Sequence, residues 1–125
     1  MPILKLYGLR SGEPDHVRAF RDQLKEVVAS VKELSVTSGQ VSVFLLGEFA
    51  PPGQGDVVIE VTMDVKPERD VRVQNILARR LLSATRAYLR EHHREEEPPV
   101  EALVYAFDPA QQGFAANNVK PTTPN

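Results

Sequence analysis

The sequence predicts an α+β fold, a two-layer arrangement in which two β-α-β units form a four-stranded sheet with both helices on one face. Three observations carry that prediction. Two stretches repeat apolar residues at three- and four-residue steps, which is the period of a helix lying on a core. Strand-like runs flank each of those stretches. The segment Pro51-Pro52-Gly53-Gln54-Gly55 reads as a loop between two halves of similar pattern.

In chain order, residues 2–8 form the first strand. Val17, Phe20, Leu24, Val27, Val28, Val31 and Leu34 make the first helical stripe, and Ser11, Gly12 and Pro14 suit its start. Val41 to Leu46 is the second strand, and Val57 to Met63 the third. The second stripe is Val73, Ile76, Leu77, Leu81, Ala84, Thr85 and Tyr88, with Arg79, Arg86 and Arg90 on the opposite side. Pro98-Pro99 ends that helix, and Ala102 to Phe107 is the last strand. A helix between two strands implies a parallel pair joined by a right-handed crossover. We expect a single domain over 1–125, with units at 1–50 and 56–108 and a polar, Pro-containing C-terminal tail at 109–125.

This layout leaves one sheet face without helices, although the strands carry Leu, Phe or Val on both sides. An apolar face of that size calls for burial against other copies. Composition narrows the partners further. A net charge of -2 and the absence of Trp argue against nucleic acid, and no apolar run is long enough to cross a membrane. With 42% hydrophobic and 26% charged residues the chain is of ordinary soluble type. With no cysteine, disulfides, thiolate metal sites and thiol nucleophiles are excluded, which fits a cytoplasmic setting.

The chain begins Met1-Pro2-Ile3. A small residue after Met1 favours removal of the methionine, and the nitrogen of Pro2 then becomes a secondary amine. Burial and nearby cations disfavour its charged form. Lowering its proton affinity by ~2 pKa units requires about 2.7 kcal/mol of differential destabilisation, and a base poised near the working pH suits proton transfer.

Pro2 at the head of a strand, two strand-helix-strand units and an uncovered sheet face together resemble the tautomerase superfamily. The length and the tail tripeptide Asn117-Asn118-Val119 are most similar to the 5-carboxymethyl-2-hydroxymuconate isomerase family, as is Arg72-Val73-Gln74 at the second helix. Met1-Pro2-Ile3 and Leu9-Arg10-Ser11 resemble 4-oxalocrotonate tautomerase. The resemblance implies a homotrimer that moves a proton on a small enol or unsaturated keto acid without cofactor or metal. It also implies Pro2 as the catalytic acid/base and Arg10 as the anchor for a substrate carboxylate. The family's second-strand arginine falls on or beside Ser42, with Gln40 the nearest alternative. A neutral Ser42 offers one weaker hydrogen bond. The resemblance therefore also admits a hydratase- or dehalogenase-like member whose amine stays protonated, and a non-catalytic assembly domain of the same fold.

Other residues have plainer readings. Lys5 and Tyr7 share a face with Ile3; Lys5 could lower the amine's proton affinity or be a surface lysine. Arg69 and Arg72 oppose the dipole at the second helix start, a cost of up to ~1 kcal/mol that Glu68 and Asp70 could offset. His92, His93 and Glu95 to Glu97 read as a solvated helix end rather than a metal site. His16 is expected on the surface, and Gly53-Gln54-Gly55 is a turn.

Overall fold

A computed structural model describes residues 2–9, 14–46, 56–92, 98–108, 110 and 115. Arg10, the 51–55 loop, His93, Glu95 to Glu97 and Asn117-Asn118-Val119 lie outside the described residues.

The strands are β1 (Ile3–Tyr7), β2 (Ser42–Leu46), β3 (Val57–Asp64) and β4 (Val100–Phe107), and the helices are α1 (Pro14–Ala29) and α2 (Val71–His92). The sheet runs β2-β1-β3-β4. β1 pairs parallel with β2, β3 pairs parallel with β4, and the two units meet through the antiparallel β1–β3 pair. The chain therefore has the expected architecture of four strands with two helices packed on one side. At the end of β1 the chain turns at Gly8, whose φ of 87° strongly favours glycine.

Alternation along the strands sorts the two faces. Leu4 and Leu6 of β1 lie in register with Val61 and Ile59 of β3, and all four are fully buried. Phe20, Leu24 and Val28 of α1 and Val73, Leu77 and Leu81 of α2 close over them. Phe20 also stacks on Tyr88 of α2 with ring centroids 4.1 Å apart and planes 11° from parallel.

The first helix is shorter than its apolar stripe. After Ala29 the Ser30 hydroxyl donates to the Val27 carbonyl at 2.6 Å, a local bond that competes with helix continuation. Val31 is then extended, a single 3-10 turn spans Lys32–Leu34, and Ser35 takes a left-handed conformation with φ 53°. Val31 and Leu34 still reach the core, so their apolar spacing reflected burial but not helical continuity. Arg80 of α2 fastens this corner by donating to the Ser30 carbonyl at 3.0 Å and to its hydroxyl at 3.1 Å.

The opposite face of the sheet is open. It presents Ile3, Lys5 and Tyr7 from β1, Phe44 and Leu46 from β2, and Leu103 and Tyr105 from β4; Phe44 and Tyr105 are 51% and 49% exposed. Such a cluster of large apolar groups on one surface is what an interaction face looks like. Among the described residues no helix is long and apolar enough to cross a membrane.

The one-sided core gives neighbouring β1 residues opposite expectations. Leu6→Ala should cost about 2–5 kcal/mol in urea unfolding, whereas Lys5→Ala should stay within about 0.5 kcal/mol.

Candidate active site

The topology gathers one end of the sheet from distant parts of the chain. β1 and β2 start there, while β3 and β4, running the other way relative to β1, finish there. Pro2 is buried at the head of β1, and the Ser42 N–H donates to its carbonyl at 3.1 Å. Ser42 itself is half-buried and in register with Ile3. Pro2 and Ser42 are thus brought together as neighbours on adjacent strands. Arg10, the third expected site residue, lies outside the described residues. Gln40 is exposed and serves the backbone, its side-chain oxygen accepting from the Thr37 N–H at 2.9 Å.

On the other flank of β1 stands Asp64, the last residue of β3, and with it a buried arginine. The Arg69 side chain is only 2% exposed. Its Nη1 donates to the Asp64 carboxylate at 2.8 Å and to the Asp64 carbonyl at 3.0 Å, while Nη2 donates to the Leu34 carbonyl at 3.0 Å. One guanidinium therefore joins the end of β3, the turn into α2 and the 3-10 turn after α1. The planar fork of arginine suits such divergent acceptors. Nε is buried without a hydrogen-bond partner, so the fork is not fully satisfied.

This corrects the expected pairing at the second helix. Asp64 takes Arg69, and the exposed Arg72 reaches Glu33 across the fold at 3.1 Å. Asp70 instead caps α2, accepting from the Val73 N–H at 3.0 Å, as an acidic residue before a first turn does well. The surface pair Arg72–Glu33 contributes little to stability.

The Asp64 carboxyl is held below its usual range. Desolvation pushes it up, but backbone hydrogen bonding and the Arg69 bond are among the interactions that outweigh that push. Lys5 is exposed on the open side in register with Glu60, which agrees with its reading as a surface lysine.

Other candidates fall away from this end. An open groove of about 330 Å³ runs between Val17, Arg18 and Arg21 of α1 and Val43, Phe44, Leu45 and Leu46 along β2. His16 is exposed as expected, but its ring lies 4.5 Å from that of His92, which is 4.6 Å from Tyr88. These rings extend the Phe20–Tyr88 stack and tie the start of α1 to the end of α2. Among the described residues no group of three ligating side chains could hold a metal.

The carboxylate anchoring Arg69 should show itself in acid. A carboxyl held low in the folded state contributes stability that is complete above its unfolded value of about 3.9 and is lost as pH falls through the lower folded value. At pH 7 Asp64→Ala should cost about 1.5–3 kcal/mol, the worth of hydrogen bonds to a charged group. In urea unfolding the difference between the two proteins should shrink as pH falls through that lower folded value.

No family model matches the chain, and no curated protein matches it. Solved structures do. The macrophage migration inhibitory factor-like protein of Entamoeba histolytica superposes with a TM-score of 0.65 at 8% identity, covering 91% of this chain and 95% of that one. The macrophage migration inhibitory factor of Toxoplasma gondii gives 0.62 at 14%, covering 94% and 97%. A fused 4-OT protein solved as an asymmetric trimer gives 0.68 at 12%, covering 95% of each chain. At such identities the likeness shows the fold alone: this chain has the tautomerase-type fold over nearly its whole length.

Proposed function

We propose that the protein is a homotrimeric, cofactor-independent tautomerase, similar to 5-carboxymethyl-2-hydroxymuconate isomerase, that moves a proton on a small enol or unsaturated keto acid. The observation that carries the reading is the burial of Pro2 at the head of β1, at one end of a sheet of tautomerase-type fold. Removal of Met1 would free the Pro2 nitrogen as the acid/base. It takes a proton from a substrate carbon or enol oxygen and returns one to the other position. Arg10 is the proposed carboxylate anchor and Ser42, beside Pro2, the polar contact where the family has arginine. A single hydroxyl polarises a carbonyl less than a guanidinium does, so the substrate differs from one that needs two cations.

Trimerisation is supported by the open apolar face and by fused 4-OT proteins of this fold that were solved as trimers. Burying Phe44, Leu103 and Tyr105 against other copies would remove about 25 cal/mol per Å² of apolar surface from water.

Intact mass of the protein from its native host should correspond to the chain without Met1. Turnover of a simple aryl enol or a muconate-type acid should then fall about 10²–10⁴-fold in Pro2→Ala; equal activity in the variant would defeat the assignment. The electrophile 2-oxo-3-pentynoate, which inactivates the protein Pt0534 of the same fold, should add its mass to the peptide carrying Pro2. Separately, placing charges on the open face with Phe44→Asp and Tyr105→Asp should convert a sedimenting trimer to monomer while leaving the helical circular-dichroism signal in place.

A further inference from the structure

The helical layer, on the side of the sheet away from the open face, carries two ridges of opposite charge. On α2, Arg72, Arg79, Arg86 and Arg90 are all exposed. Seven residues make nearly two turns, so the first three stand about 10.5 Å apart with a drift of about 20° per step. Arg90 continues the line one turn further on. The ridge lies opposite the buried Val73, Leu77 and Leu81, and Glu91, the single carboxylate of α2, sits about a quarter-turn away from it. The outermost line of α1 is acidic. Asp15, Asp22 and Glu26 are exposed opposite the buried Phe20, Leu24 and Val28. They follow the same steps of seven and four residues as Arg79, Arg86 and Arg90. Arg18 and Arg21 turn aside to the groove along β2.

The levels of the two ridges also correspond. α1 and α2 run antiparallel, because each returns against its own parallel strands while β1 and β3 are antiparallel. Phe20 stacks on Tyr88 and His16 lies against His92. A step forward on α1 is therefore matched by a step back on α2, which brings Asp22 level with Arg86. By the same count Asp15 and Glu26 stand within three residues, about 4.5 Å, of the levels of Arg90 and Arg79.

We propose that the helical layer is a self-complementary interface whose occupant is a second copy of this chain, turned about a two-fold axis along the seam between α1 and α2. Such an axis exchanges the two sides and keeps each residue at its level, so α1 of either copy lies on α2 of the other. Asp22 of one copy then meets Arg86 of the other, with Asp15 beside Arg90 and Glu26 beside Arg79, and symmetry repeats all three pairs. Carboxylate against guanidinium is the match that the planar fork of arginine makes well. Turning the second copy about an axis across the helices would instead set α1 on α1, acid against acid. Arg72 reaches Glu33, Asp15 stands 3.8 Å from Arg18, and Arg86 and Arg90 have interactions of their own within the chain. Exposed pairs are worth little one by one, so the contact between copies draws on several at once and is sensitive to salt. It uses neither the open sheet face nor the rim at Pro2, and stands apart from the proposed chemistry.

Sedimentation of the full-length protein in about 0.01 M and about 1 M salt tests the interface, since charges are screened beyond about 30 Å in the first and about 3 Å in the second. The mass in high salt is the unit that the sheet face sets, whether monomer or trimer. In low salt the mass should rise to at least twice that unit. Asp22→Arg and Arg86→Asp should each remove the rise, weakening association about tenfold or more by setting like charges together. An equimolar mixture of the two variants should recover it, because each supplies the charge that the other's changed residue needs; recovery also shows that both are folded. A wild type whose mass is the same in both salts overturns the proposal and leaves the ridges to a partner of another kind. A rise that either variant keeps, or a mixture that stays at the high-salt mass, overturns it as well.

Discussion

The handedness of the strand-helix-strand crossover constrains everything else in this molecule. A right-twisted strand feeding a right-handed helix packs back onto the sheet on one side only. The two units meet through their first strands running antiparallel, and both helices therefore fall on the same face. The fully buried set, from Leu4 and Leu6 to Leu77 and Leu81, belongs to that face. The other face keeps its Phe, Leu and Tyr without a layer to cover them. The same constraint places the beginnings of β1 and β2 beside the ends of β3 and β4. Residues separated by most of the chain, Pro2, Ser42, Asp64 and Phe107, become neighbours along one rim.

That rim is held by one guanidinium in place of further apolar packing. Burying a cation is costly unless its donors are met, and Arg69 meets most of that cost with a carboxylate and two carbonyls. The return is geometric. The 3-10 turn at Leu34, the end of β3 and the approach to α2 have no continuous secondary structure between them, yet they share one rigid planar group. Lysine, with a compact ammonium, would not span the same acceptors.

The proposed chemistry would sit on this polar rim. Pro2 is buried there, with the half-buried, neutral Ser42 on the β2 side and the Arg69-bound Asp64 on the β3 side. Burial disfavours the charged form of an amine, which is the direction the proposed acid/base role needs.

How much was legible beforehand differs between the fold and the site. Periodicity of two in the strands and near 3.6 in the helices determined every strand, both helices, the parallel pairs and the bare sheet face, because burial on one side leaves a mark at each successive residue. Pro2 and Ser42 were named through a family resemblance, and what the fold adds is that they are neighbours on adjacent strands. The break of α1 at Ser30 was hidden, since Val31 and Leu34 keep apolar spacing while leaving the helix. The partnership of Arg69 was hidden as well. Local charge counting pointed to Glu68 and Asp70, yet the acceptors lie at Asp64 and at Leu34, 35 residues away in sequence. Sequence fixes which side chains can bury or carry charge, through their chemistry and period. Which charge meets which is decided only when the crossovers close the sheet and bring its ends to one rim, because Coulomb and hydrogen-bond terms depend on distance in space and leave no period behind.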